Sequence, residues 1–227
     1  MTASQTTNSA AQQINQRRAK TITSIAVDAI EDMIVTGELL AGDRINESTL
    51  AESLGISRGP IREACRSLEQ AGLLTSKTNR GMYVREVTLD EARELYELRG
   101  AIAGLAAELI VRRAGDDEIV SLERLVDQMQ VAAEESSTAQ YYKLNLQFHD
   151  DLVRAARNNA LEDTYHKIVN QLHLLRRRGL VQEGNLLISN AEHRRVVTAL
   201  ANRDAAAASA ALREHVANGL TRLIASL

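Results

Sequence analysis

Three histidines hold the densest chemistry in this chain: His149, His193 and His215. A neutral imidazole is a strong ligand for a divalent ion, and three that converge leave room for an oxygen ligand. Asn145 precedes His149 by one helical turn, so both lie on one helix face. Three nitrogens and one neutral oxygen suit Zn, Ni, Co or Mn. His166 and His173 are read as ordinary polar positions. Cys65 is the single cysteine, which excludes an intramolecular disulfide and a cysteine-based zinc site. No HExxH motif, glycine-rich phosphate loop or positioned general base is legible beside these ligands.

A second cluster points to nucleic acid. Residues 57–85 hold six basic side chains (Arg58, Arg62, Arg66, Lys77, Arg80, Arg85) against two acidic ones (Glu63, Glu69). The whole chain nets −3, so this excess is local. Arg58 and Arg62 are four residues apart and share a helix face, where a planar guanidinium can grip guanine or phosphate. Ser57 and the free N–H groups behind it suit a phosphate. Gly59 lets backbone approach closely, and Gly81, beside Arg80, allows a turn with positive φ.

The elements that must carry these residues follow from periodicity and punctuation. Residues 1–18 are polar and predict a disordered tail. Apolar residues recur at helical spacing from about 19 to 35, and a short helix capped by Asn46 covers about 47–54. Gly55-Ile56 makes a turn, and a helix capped by Ser57, with Pro60 in its first turn, runs to near Gly72. Two short helices across a glycine turn predict a helix-turn-helix. Residues 73–75 and 82–84, around Asn79-Arg80-Gly81, predict a β-hairpin wing. Residues 19–87 thus form one expected domain and 88–227 a second.

The second domain reads as helix throughout. Thr88 and Glu91 predict a capping box opening a helix to about Ala114. Further helices are expected at 117–135, 139–157, 160–178, 190–202 and 205–225, with Ser189 and Glu192 as a second capping box and Asp204 as a cap. Gly179 and Gly184 bracket an expected loop. Short connections between six helices predict an antiparallel bundle, so the fold class is mainly α. The histidines fall on three of these helices.

Residues 50–64, Leu-Ala-Glu-Ser-Leu-Gly-Ile-Ser-Arg-Gly-Pro-Ile-Arg-Glu-Ala, resemble the core motif of the GntR family of bacterial transcriptional regulators. Asn79-Arg80-Gly81-Met82-Tyr83-Val84 is similar to that family's wing. The stretches Glu97-Leu-Arg99, Asn145-Leu-Gln-Phe-His149, Glu192-His-Arg194 and Glu214-His215 resemble the FCD effector domain of its FadR-like branch. The resemblance implies a homodimer that reads an inverted repeat in double-stranded DNA. It puts Ser57, Arg58, Gly59, Arg62 and Gly81 at the DNA and Arg99 in an effector pocket. It also implies a divalent metal on the three histidines, with the usual Asp replaced by Asn145. Where the family usually carries an arginine ahead of Leu50-Ala51, this chain has Ser48.

The expected function is therefore a ligand-responsive repressor of a metabolic operon. Its effector is a small molecule, a carboxylate or phosphonate among the candidates, and Arg176-Arg177-Arg178 is either a solvated helix end or an anion site. A metal-dependent enzyme and a winged-helix adaptor without DNA are the competing readings. The polar, uncharged start and the lack of a long apolar run predict a cytoplasmic chain with no membrane role.

Overall fold

The structure, a computed structural model, describes residues 22–34, 36–78, 80–181 and 185–225, with backbone alone for 173–181 and 185. The expected tail, Asn79, Gly184 and the side chains of Arg176, Arg177 and Arg178 lie outside the described residues. Contacts divide the chain into two units that meet between Glu86 and Val87.

In the first unit, helix α1 (22–34) buries Ala26, Ile30 and Ile34, spaced four apart on one face. Helix α2 (Glu47–Ser53) starts where Asn46 Oδ1 accepts from the backbone N–H groups of Ser48 and Thr49 at 3.1 and 3.2 Å. Gly55, at φ 65°, makes the turn into α3 (Arg58–Gln70). Ile61, Ala64, Cys65 and Leu68 form the buried stripe of α3. Arg58, Arg62 and Arg66 lie on its exposed side. Ser57 holds the N-cap position, but its hydroxyl makes no capping hydrogen bond, contrary to the expected cap. Strands β1 (Leu74–Lys77) and β2 (Gly81–Val84) pair antiparallel, with Leu74 opposite Val84. The stretch before α2 also pairs with β2, through Ile45 N–H to Met82 O at 2.9 Å and Val84 N–H to Asp43 O at 2.8 Å. Its turn-forming sequence gave no sign of that pairing.

The second unit is helical: α4 (Leu89–Arg113), α5 (Asp116–Glu134), α6 (Thr138–Ala155), α7 (Asn159–Val181), α8 (Asn185–Ala201) and α9 (Ala205–Ala225). Thr88 Oγ1 accepts from Glu91 N–H at 3.2 Å, the Thr88 half of the expected capping box, and Asp204 Oδ1 accepts from Ala207 N–H at 2.9 Å, the expected cap. The core is mostly Ala, Leu, Ile and Val, joined by Tyr96, Met129, Tyr141, Tyr165 and a fully buried Phe148. Helix α4 lies close against α9: a side chain at Gly104 would run into the Arg213 guanidinium.

Two expectations fail at the α7–α8 connection. Helix α7 continues through Gly179 to Val181, and α8 begins at Asn185, four residues before Ser189. Ser189 and Glu192 therefore lie inside a helix and are buried, so they form no capping box. Asn185-Leu-Leu-Ile already continues the helical run, and Asn190 donates from Nδ2 to Val126 O and Gln130 Oε1, on α5.

Candidate functional site

Each histidine comes from its own helix: His149 from α6, His193 from α8 and His215 from α9. These residues are 4%, 0% and 5% exposed, and one ligand atom from each lies within 4.8 Å of the others. Nε2 of His215 stands 3.1 Å from Nε2 of His193 and 3.2 Å from Nε2 of His149. Nitrogens bonded to one ion at ~2.0–2.1 Å stand roughly 3.0–3.4 Å apart, so the spacing and donor set fit a divalent metal. Asn145 completes the face, its Nδ2 donating to Nε2 of His193 at 3.3 Å. Turning its amide over exchanges Nδ2 for Oδ1 without a change of shape. Phe148 packs beside the His149 and His193 rings, at 5.4 and 4.7 Å between centroids.

Arg99 on α4 is 3% exposed. Its guanidinium lies 5.6 Å from the Tyr96 ring centroid and 5.7 Å from that of Tyr165, and donates to Tyr165 Oη at 3.3 Å. Burial works against its charge, but the phenols of Tyr165 and Tyr96 offset this and hold the guanidinium above its ordinary range. Among the described residues no carboxylate pairs with it, and its Nε has no hydrogen-bond partner. Buried cations normally have an anionic partner, which favours the pocket reading over a surface ion pair.

Glu192, read from the sequence as half of a capping box, has a different role in the structure. It is 4% exposed, and its Oε2 accepts from His215 Nδ1 at 2.8 Å. Arg222 donates to both its oxygens, at 2.8 and 2.9 Å, and Asn218 to Oε1 at 2.8 Å. Burial alone would raise the carboxyl, but the hydrogen bonds from His215 and Arg222 hold it at about 2. Burial lowers His215 to about 4, against the pull of Glu192. The imidazole is therefore neutral and ready to ligate near neutral pH.

A pH dependence follows. The unfolded His215 titrates near its ordinary 6.5 and the folded one near 4. The stability this gives is complete above about pH 6.5 and lost as pH falls toward 4. In metal-free protein, melting temperature is expected to drop between about pH 7 and pH 5 in the wild type and to fall less in His215→Gln. Parallel curves for the two proteins across that window would contradict the assignment.

On the first unit, Arg58 makes no ion pair among the described residues, while Arg62 Nε lies 3.2 Å from Glu47 Oε2. Arg66 pairs with Glu63 at 2.8 Å on the surface. A Cβ added at Gly59 would meet nothing within 4 Å, so nothing in the domain itself requires glycine there. Gly81 has φ 98°, which a side chain rarely adopts, and Arg80 beside it is exposed. Arg44 was missed: a Cβ at Gly81 would stand 3.5 Å from its Nε, so this guanidinium lies against the wing turn. A lone arginine outside the motif carries no sequence signal.

Comparison with known proteins completes the picture. Residues 23–84 match the family described as bacterial regulatory proteins, gntR family, and residues 94–218 match the FCD domain. The uncharacterized HTH-type transcriptional regulator YdhC of Bacillus subtilis is 30% identical over 188 residues, 82% of this chain and 82% of that one. The HTH-type transcriptional repressor RspR of Escherichia coli is 24% identical over 177 residues, 77% of each chain. Among solved structures, E. coli McbR/YncC superposes with a TM-score of 0.78 at 20% identity, covering 90% of this chain and 97% of the other, which speaks to the fold. No helix among the described residues is long and apolar enough to cross a membrane.

Proposed function

The chain belongs to the GntR family and is a DNA-binding transcriptional regulator with an FCD domain, and on that premise we propose that it is a repressor released by a small organic anion bound at the three-histidine centre. The observation that carries this reading is the pairing of a buried, carboxylate-free Arg99 with three converging imidazoles. His149, His193, His215 and Asn145 would hold the ion, which as a Lewis acid would attract a carboxylate or phosphonate. Arg99 would take a second oxygen of the same anion. All the ligands are neutral, so the site favours negative charge.

At the DNA surface, Ser57, Arg58, Gly59 and Arg62 present the start of α3 to the major groove. Arg80 and Gly81, with Arg44 beside them, present the wing to the backbone or minor groove. The bare surface at Gly59 supports close approach by a phosphate. A homodimer would set two such surfaces on an inverted repeat. Repression is favoured by the likeness to RspR, a relative that is itself named a transcriptional repressor. Such a regulator acts where the chromosome lies, in the cytoplasm. The anion must bind one dimer geometry better than the other, since equal affinity for both would shift nothing.

Thermal stability in the presence of small molecules tests the pocket. Carboxylates or phosphonates at saturating concentration are expected to raise the melting point of metal-loaded protein, a ligand at ~100 times its Kd adding about 2.7 kcal/mol. Arg99→Met should lose that shift. A shift given only by neutral sugars or bases, or kept in Arg99→Met, would remove the anion reading.

A further inference from the structure

The carboxylate of Glu192 lies at the Nδ1 edge of His215, and the meeting point of the three Nε2 atoms lies at the other edge. Four hydrogen bonds engage its two oxygens: one from His215, one from Asn218 and two from Arg222. The side chains of Glu192 and Arg222 are 5% and 11% exposed, so little solvent competes. An imidazole ligates through a nitrogen that carries no proton. The proton then sits on the other nitrogen, whose partner sets the tautomer and the ring plane.

From this geometry we infer that Glu192, held by Arg222, is a positioning residue of the three-histidine centre: it keeps the proton on Nδ1 of His215 and aims the Nε2 lone pair at the ion. The inference rests on the metal reading proposed above. Arg222 could have satisfied Glu192 by itself as a buried ion pair. Instead the carboxylate also reaches His215 on α9 and sits one residue before His193 on α8, so it braces two ligand-bearing helices. Arg222 stands in the last turn of α9. The end of that helix is thereby tied to the centre through one carboxylate.

Co²⁺ is the probe, because its visible absorption reports ligand geometry as well as occupancy. Full-length wild type, Glu192→Ala, Glu192→Gln and Arg222→Lys are titrated with Co²⁺, and the melting point of each metal-free protein is recorded alongside. Glutamine still offers an oxygen to Nδ1–H, whereas alanine offers none. Glu192→Ala is expected to bind Co²⁺ about 10- to 100-fold more weakly with an altered spectrum, the usual cost of losing such a partner. Glu192→Gln is expected to recover most of the affinity, to within roughly 10-fold of wild type, and Arg222→Lys to fall between the two. A residue that only braced the fold would lower the melting point and leave Co²⁺ affinity and spectrum unchanged. That result in Glu192→Ala overturns the inference. If Glu192→Ala does not fold, wild-type affinity and spectrum in both other variants overturn it equally. Wild type that takes up no Co²⁺ overturns the metal reading itself, and the inference with it.

Discussion

Protein prepared with excess Zn²⁺, Ni²⁺, Co²⁺ or Mn²⁺ and then desalted is expected to retain about one ion per chain, and His193→Ala to retain almost none. His193 is the choice because its Nε2 contacts both His215 and Asn145 and its side chain is fully buried. Its loss removes one of three strong ligands. The remaining pair plus a neutral amide is a poor site for any of these ions. Asn145→Asp works in the opposite direction. A carboxylate in place of the amide adds a charged oxygen at the same distance from the backbone, and should tighten divalent binding. It should also weaken the hold on an anionic effector, because the centre then carries one less positive charge. Metal analysis of the purified proteins checks the first expectation, and competition against a chelator the second. Retention of a full equivalent by His193→Ala would show that the ion sits elsewhere.

The second large effect concerns DNA. Arg58→Ala combined with Arg62→Ala is expected to cost about 2–6 kcal/mol on the operator, roughly 30- to 25,000-fold in affinity, from ~1–3 kcal/mol per specific arginine contact. Arg58 is exposed and makes no ion pair among the described residues, so its removal leaves no buried group behind. Arg62 pairs with Glu47 at 3.2 Å with 57% of its side chain exposed, a pair worth little to stability. The double variant should therefore melt close to wild type while losing the operator, which separates a binding defect from a folding defect. The slope of affinity against salt should also fall by about 1 for each arginine that contacts phosphate. Unchanged operator affinity in the double variant would place the DNA surface elsewhere.

Much of this site could be read before any coordinates. His149, His193 and His215 fall on separate helices that pack in one bundle, and Asn145 precedes His149 by one turn, so convergence was a question of helix phase alone. The α3 arginines were legible because the buried stripe Ile61, Ala64, Cys65 and Leu68 leaves them only the outer face. Glu192 was not legible. Ser189 three residues earlier mimics a capping box, and one position before His193 means about 100° around the helix, away from the face that carries the histidine. Its partner Arg222 reads as a basic residue placed to suit the helix dipole. Arg44 escaped for a different reason: its place beside Gly81 depends on the pairing of 43–45 with β2, a long-range contact that no local pattern encodes. Arg99 was legible as a pocket residue only through the family resemblance, because burial of a single arginine depends on how α4 and α7 meet.

The most direct measurement is selection of genomic fragments by the full-length protein, with sequencing of what is retained at moderate salt. A DNA-binding regulator of this design should enrich a small set of intergenic fragments that share an inverted repeat, its own upstream region among those to inspect first. The same selection with Arg58→Ala/Arg62→Ala should return none of them. Recovery of fragments in proportion to bulk DNA, or the same set with the double variant, would contradict sequence-specific binding through α3 and leave the first unit without the role proposed for it.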